Sequence, residues 1–262
     1  MLKKNLLAPS IIGFVLIYGV LYIWQPGGVR VLDVVTDVLT LLCALLAAIL
    51  ALRASRMFES GTAARQAWLL FGIGMVTMTI AELVWAYYHI VLDQTLPFPS
   101  PADILWALSY VPILISLVLQ YRALGVQATR RRKVSVAALY LSVLIVALVV
   151  SVWSASSGPG QIAATDLLLN AFYLAGDMSI AFVATLSLMF LWKGLVSRPW
   201  QYLMTSVLLF VIADVTFSYS SANDLYATGT NVLSGIVDVF YLTAYVLAAA
   251  GGYRQLTLRL PE

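Results

Sequence analysis

An all-α bundle of about eight membrane-spanning helices is the fold class that this sequence predicts. Three observations predict it. The chain of 262 residues is 62% hydrophobic and only 10% charged, against roughly 25% charged for a soluble domain. Its apolar runs have helix length rather than strand length, about 20 residues apiece, as crossing a bilayer core requires. A mean hydropathy of +0.94 leaves little sequence for a soluble output domain, so one integral membrane domain over 1–262 is expected.

Apolar windows between charges and turn residues place spans near 6–24, 30–53, 65–91, 101–122, 134–154, 162–193, 199–220 and 232–253. The first follows Lys3 and Lys4 as a signal peptide would, but no clean small-x-small cleavage site comes after it, and it reads as a retained helix. The sixth is long enough to tilt or protrude. The fourth begins Ser100-Pro101-Ala102-Asp103, a cap residue, a proline at the first helical position and an acid at the third.

All but Arg30 of the 15 Lys and Arg residues fall on one side of this map. The positive-inside rule then predicts a multi-pass protein of the inner (plasma) membrane of a prokaryote with both termini cytoplasmic. The net charge of +3 is a topology signal and not a sign of nucleic-acid binding. The run Arg130, Arg131, Arg132, Lys133 is a topology determinant that can also sit on anionic headgroups. Cys43 is the one cysteine, so no intrachain disulfide can form.

The sequence also carries an internal repeat. At an offset of 132, Trp68 meets Trp200, Ile80-Ala81-Glu82 meets Ile212-Ala213-Asp214, Trp85 meets Phe217 and Tyr87 meets Tyr219. At 135, Asp103 meets Asp238, Trp106 meets Tyr241 and Tyr110 meets Tyr245; at 140, Asp37 meets Asp177 and Arg53 meets Lys193. Four helices per half is an even number, so both halves enter from the same side, and a parallel 4+4 repeat is expected over about 1–125 and 134–256.

Six carboxylates sit inside the spans as one triplet repeated: Asp37, Glu82, Asp103, then Asp177, Asp214, Asp238. An ionised side chain at the centre of a lipid-facing helix costs roughly 2.5 to 3.5 kcal/mol, so these must face a shared interior. At 1.5 Å per residue, Asp37 and Asp238 lie about 10 Å below the outer face, and Glu82 and Asp214 about 25 Å from the inner one. The economical reading is a cleft opening outward. Asp103 has a structural explanation as the acid of a capping box, and Asp238, after Ser234 and Gly235, reads as the same device in the second half. Glu82 and Asp214, deep in their helices, have no such explanation and are the strongest functional candidates. Asp37 and Asp177 are intermediate, because a neighbouring Tyr or Trp could hold them in a purely packing role.

Trp85, Tyr87 and Tyr88, with Phe217 and Tyr219 opposite, form either an aromatic belt at the interface or the wall of a pocket. His89 is the single histidine, which rules out bis-histidine haem ligation within one chain. Its plainest role is interfacial, and a pH-sensing one is the sharper alternative. The acids could hold a hard cation such as Ca²⁺ or relay protons. No lysine lies within a span to carry a retinal Schiff base, and no phosphate-loop, serine-hydrolase or zinc-protease signature is present. No cofactor and no resident metal are expected.

The stretch Leu96-Pro97-Phe98-Pro99-Ser100-Pro101-Ala102-Asp103, with Trp106, Tyr110, Glu82 and Trp85, resembles the multi-helix membrane sensor regions of bacterial diguanylate cyclase and phosphodiesterase (GGDEF/EAL) signalling proteins. The resemblance covers most of the chain and implies a freestanding sensor-like module whose output is a separate cytoplasmic signalling protein. A second likeness is to the lysoplasmalogenase-like membrane hydrolases, carried by Ala175-Gly176-Asp177, Ile212-Ala213-Asp214 and Phe240 to Tyr245. Ala213 stands where that family has a serine, and the first half matches poorly. That likeness implies paired acids activating water on an ether-lipid substrate.

The leading expectation is a sensor-type protein binding a lipid or small-molecule ligand in an outward acidic and aromatic cleft. An intramembrane lipid hydrolase is the alternative, and a proton- or cation-coupled transporter the third. Transport is disfavoured because no Gly/Pro-broken helix pair sits at matched positions, Pro112 meeting Leu247.

Overall fold

The computed structural model describes residues 6–125, 128–157, 164–191, 197–223 and 225–258. Within them the chain forms only helices: α1 Leu7–Trp24, α2 Val29–Ser55, α3 Ala63–Ala86, α4 Pro101–Ala123, α5 Arg130–Ser157, α6 Ala164–Leu188, α7 Arg198–Ala222 and α8 Val232–Leu256. A π-helical turn, Tyr87–Val91, extends α3. Each of the eight is long and apolar enough to cross a bilayer, so this is a multi-pass helical membrane protein.

Two helices differ instructively from their hydropathy windows. α5 starts at Arg130 rather than 134 and runs to Ser157, because basic residues are good helix formers that end an apolar run without ending a helix. α6 ends at Leu188, short of the long span expected over 162–193. There the amide of Phe190 turns back three residues to the carbonyl of Ser187, which closes the helix in a tight turn. Lys3, Lys4, Lys193, Asp224 and Arg259 lie outside the described residues.

α2, α3, α7 and α8 form the dense centre, with α4 against α3 and α6, α6 also against α7, α1 on α8 and α5 on α6. In hydrocarbon there is no hydrophobic drive between helices, so close backbone approach has to supply the attraction. α2 offers a stripe of completely or almost completely buried alanines, Ala44, Ala47, Ala48, Ala51 and Ala54. α8 meets it with Gly252, where a Cβ would lie 2.9 Å from the Leu50 carbonyl carbon. Trp68 and Trp200, both buried near the starts of α3 and α7, pack with ring centroids 4.8 Å apart and planes tilted by 49°. α5 leaves its apolar side chains open to the surroundings and is tied to α6 by the Tyr140–Thr185 hydroxyl pair at 2.6 Å.

Helices of alternating direction put the loops after α1, α3 and α7 at one pole and those after α2 and α4 at the other. Arg53, Arg56, Arg65, Arg122, Arg130 and Arg254 mark the second, basic pole. The six acids lie toward the first.

Candidate functional site

Each intramembrane acid is held by aromatic donors, and the way its two oxygens are used separates the six into two kinds. Asp103 closes a capping box. Its Oδ2 accepts from the Ser100 amide at 2.7 Å and hydroxyl at 2.6 Å, and its Oδ1 accepts from the Tyr173 hydroxyl at 3.0 Å. Asp238 is also saturated, but by different means. Asn231 caps α8 by accepting from the Ser234 amide, so Asp238 is not the capping acid that its sequence neighbours suggest. It lies two turns in, where Tyr22 of α1 donates to Oδ2 at 2.9 Å and Tyr226 donates to Oδ1 at 2.7 Å. The Tyr226 phenol, outside the spans, has its pKa pushed well above the ordinary value by burial and by the Asp238 charge, so it stays a donor.

The other four commit one oxygen each. Trp85 Nε1 donates to Asp37 Oδ1 at 3.2 Å. Glu82 Oε1 accepts from Tyr245 at 2.7 Å and from Trp106 Nε1 at 3.4 Å. Tyr110 donates to Asp177 Oδ1 at 2.6 Å, and Tyr241 to Asp214 Oδ1 at 2.5 Å. Asp177 and Asp214 lie close enough for their carboxyl groups to interact electrostatically. Asp37 Oδ2 is buried with no hydrogen bond and faces His89 Nδ1 at 3.4 Å. An uncompensated buried charge costs several kcal/mol, so the spare oxygens of this group are where protons or a ligand would act.

Two of these hydrogen bonds run between sequence halves in a reciprocal way. Tyr245 of α8 reaches Glu82 of α3, while Tyr110 of α4 reaches Asp177 of α6. Tyr110 gets there by lying over Gly176, where a Cβ would sit 2.5 Å from its ring.

Glu82 and Asp214 are bonded to inward helices and yet half-buried, as are Trp85, Trp106, Phe217 and Tyr241. Aromatic rings pack around these acids: Trp85 lies 6.0 Å from Trp106 and 6.3 Å from Phe217, and Phe217 lies 4.8 Å from Tyr226, ring centre to ring centre. Tyr87 and Tyr219, expected here from the repeat, are exposed. A separate groove of about 230 Å³ lies between α4 and α6, lined by Tyr110, Val111, Phe172, Gly176 and Ser179 among others. Among the described residues no group of His, Cys, Asp and Glu has the spacing of a metal site.

His89, four residues after Trp85, shares its face at ordinary helical spacing, with the rings 4.6 Å apart. The tyrosines Tyr22, Tyr173 and Tyr226 are not among the residues that the sequence singles out. Tyr18 and Tyr22 at helical i,i+4 spacing in an otherwise apolar run were the available signal. No protein-family model, no curated protein and no solved structure matches the chain.

Proposed function

We propose that this is a sensor-like ligand-binding protein of the prokaryotic inner membrane, with the basic pole in the cytoplasm and the acidic, aromatic cleft opening outward. The observation that carries this reading is the reciprocal pair of bonds between halves, Tyr245 to Glu82 and Tyr110 to Asp177. A ligand or proton that occupies these acids competes with contacts joining the two halves. It therefore binds one packing arrangement better than the other, which is what a switch requires. The parallel 4+4 repeat fits the same picture: α3 against α4, α2 against α3 and α2 against α8 have α7 against α8, α6 against α7 and α6 against α4 as counterparts. The output partner is a separate cytoplasmic signalling protein that reads the basic pole.

Native mass spectrometry with lipid analysis on gently extracted protein tests this. A stoichiometric lipid or small molecule is expected on the natural chain and is expected to be lost from the Glu82→Gln, Asp214→Asn double variant. Retention by that variant would sink the assignment.

A lipid hydrolase is the second reading, favoured by one observation. The two motifs that resemble the lysoplasmalogenase-like hydrolases bring their acids, Asp177 and Asp214, close enough to interact electrostatically, and an apolar groove runs alongside Gly176. Two neighbouring carboxyls are a reasonable acid/base device. Under this reading purified protein releases product from a lysolipid, and Asp177→Asn does not.

A further inference from the structure

We infer that the groove between α4 and α6 is a seat for the acyl chain of a bilayer phospholipid; it is a site apart from the six acids and stands or falls separately from the ligand proposed for them. Its depth is the first reason. Tyr110, Val111 and Leu114 are residues 10 to 14 of the 23 in α4, and Phe172, Gly176 and Ser179 are residues 9 to 16 of the 25 in α6. A helix of this length spans the hydrocarbon layer, so its middle residues lie among lipid tails, away from headgroups and water. Val111, Phe172 and Ser179 are exposed, which puts the open side of the groove toward the bilayer.

The opposite seam of the bundle is the second reason. At the offset of 140, Phe172, Gly176 and Ser179 answer to Leu32, Thr36 and Leu39 of α2. Those three lie under α1: Leu32 and Leu39 cluster with Tyr18 and Tyr22, and Tyr18 donates to Thr36 at 3.0 Å. Tyr22 also lies close over Gly235 of α8, where a Cβ would be 3.0 Å from its ring. α5, the counterpart of α1, packs instead against the Met178 and Ala181 side of α6 with Tyr140 and Leu144. The seam that α1 closes in the first half is therefore left as a groove in the second.

The chemistry of the lining decides between a helix and a hydrocarbon chain as the occupant. α1 anchors its tyrosines on polar groups, Tyr18 on Thr36 and Tyr22 on Asp238. The second half has no such anchors at the matching positions: Gly176 lacks a side chain, and Asp103 already spends its oxygens on Ser100 and Tyr173. The two hydroxyls of the groove wall have given up their protons as well, Tyr110 to Asp177 and Ser179 to the Ala175 carbonyl of its own helix. A tyrosine entering here as Tyr18 and Tyr22 do would bury its hydroxyl without a partner, a cost that hydrocarbon avoids. An acyl chain needs no partner and gains contact with the rings of Tyr110 and Phe172, whose centroids are 6.0 Å apart. Packed there, it also backs the Tyr110 ring in its place over Gly176, and with it the bond to Asp177 that joins the halves.

Photo-crosslinking on the full chain tests this. The purified protein in detergent receives a few equivalents of a phosphatidylcholine with a diazirine in the middle of one acyl chain. Loosely held lipid is diluted into the micelles, and the labelled residues are mapped by mass spectrometry. Label at Val111, Phe172 and Ser179 is expected to exceed that at comparably exposed residues of α1 and α5, Ile17 and Leu139, at least fivefold. Ser179→Phe, which fills the groove from an exposed position, should lower the groove label at least fivefold, with Ala175→Leu as the second variant should the first fail to fold. The Glu82→Gln, Asp214→Asn variant should keep the label, whatever it does to a ligand of the acids. Uniform label over all the lipid-facing helices, or groove label that both filled variants leave unchanged, would overturn the seat. Loss of the groove label from the double acid variant would overturn its independence and assign the lipid to the acids.

Discussion

Asp238 and Glu82 are both carboxylates accepting from tyrosines of distant helices, and they do opposite work. Asp238 is 4% exposed and uses both oxygens, on Tyr22 and Tyr226. Glu82 is half-buried and uses one oxygen twice, for Tyr245 and Trp106. Use of both oxygens locks geometry, because each has a fixed partner and any movement strands a donor. Partial saturation leaves capacity for something that comes and goes. Burial of an acid within a membrane is therefore not enough to mark a functional group; the count of committed oxygens is the better guide.

The largest effect is expected from breaking the saturated member. Asp238→Ala strands two tyrosine hydroxyls, at about 1 to 3 kcal/mol for each. The damage spreads, because Tyr22 also accepts from the Gly229 amide at 2.8 Å and, with Tyr18, seats α1 against the bundle. Thermal unfolding in detergent should show a large fall in midpoint. Tyr22→Phe, which removes one of the two donors to Asp238, should show a smaller fall. Equal stability of Asp238→Ala and the natural chain would remove the distinction between the two kinds of acid.

The sequence made the first-order architecture legible because a bilayer imposes one strong rule, apolar runs of helix length, and charges punctuate them. It also made the capping box at Asp103 legible, since Ser100-Pro101 is a local pattern with a local cause. The role of Asp238 was misread for the complementary reason. Its partners, Tyr22 and Tyr226, are 216 and 12 residues away, and no local rule reports them. Tyr87 and Tyr219 line up in the repeat but sit on the outward face, because residues two apart on a helix point about 200° apart and cannot share the side that Trp85 and Phe217 present. His89 was legible, since it follows Trp85 at ordinary i,i+4 spacing and meets its ring at 4.6 Å.

A middle-sized effect should come from the contact between halves. In Gly176→Ala the new Cβ meets the Tyr110 ring, at 2.5 Å before any adjustment, and overpacking of this kind costs about 1 to 3 kcal/mol. The ring must swing, and the Tyr110–Asp177 bond is lost with it. Combining Gly176→Ala with Tyr110→Phe in a double-mutant cycle should therefore give strong non-additivity, since both remove one bond. Additive losses would mean that glycine serves packing alone and that the hydroxyl bond does not depend on it.

The smallest effect on stability is expected at Glu82, and that is what makes it diagnostic. Gln keeps the shape and the oxygen that Tyr245 and Trp106 address, so Glu82→Gln should stay within about 1 kcal/mol of the natural chain. With both donors still served, the unfolding midpoint should hold. The same isosteric change at Asp238 behaves differently. Asn must present its amide NH₂ to one of two tyrosine O–H donors, and the Tyr22 oxygen is already taken up by the Gly229 amide, so Asp238→Asn should destabilise where Glu82→Gln does not. Measured side by side under one detergent, a clear gap between these two amides identifies Glu82 as a carboxylate that folding does not need and that only function explains, whereas equal losses would assign both to structure.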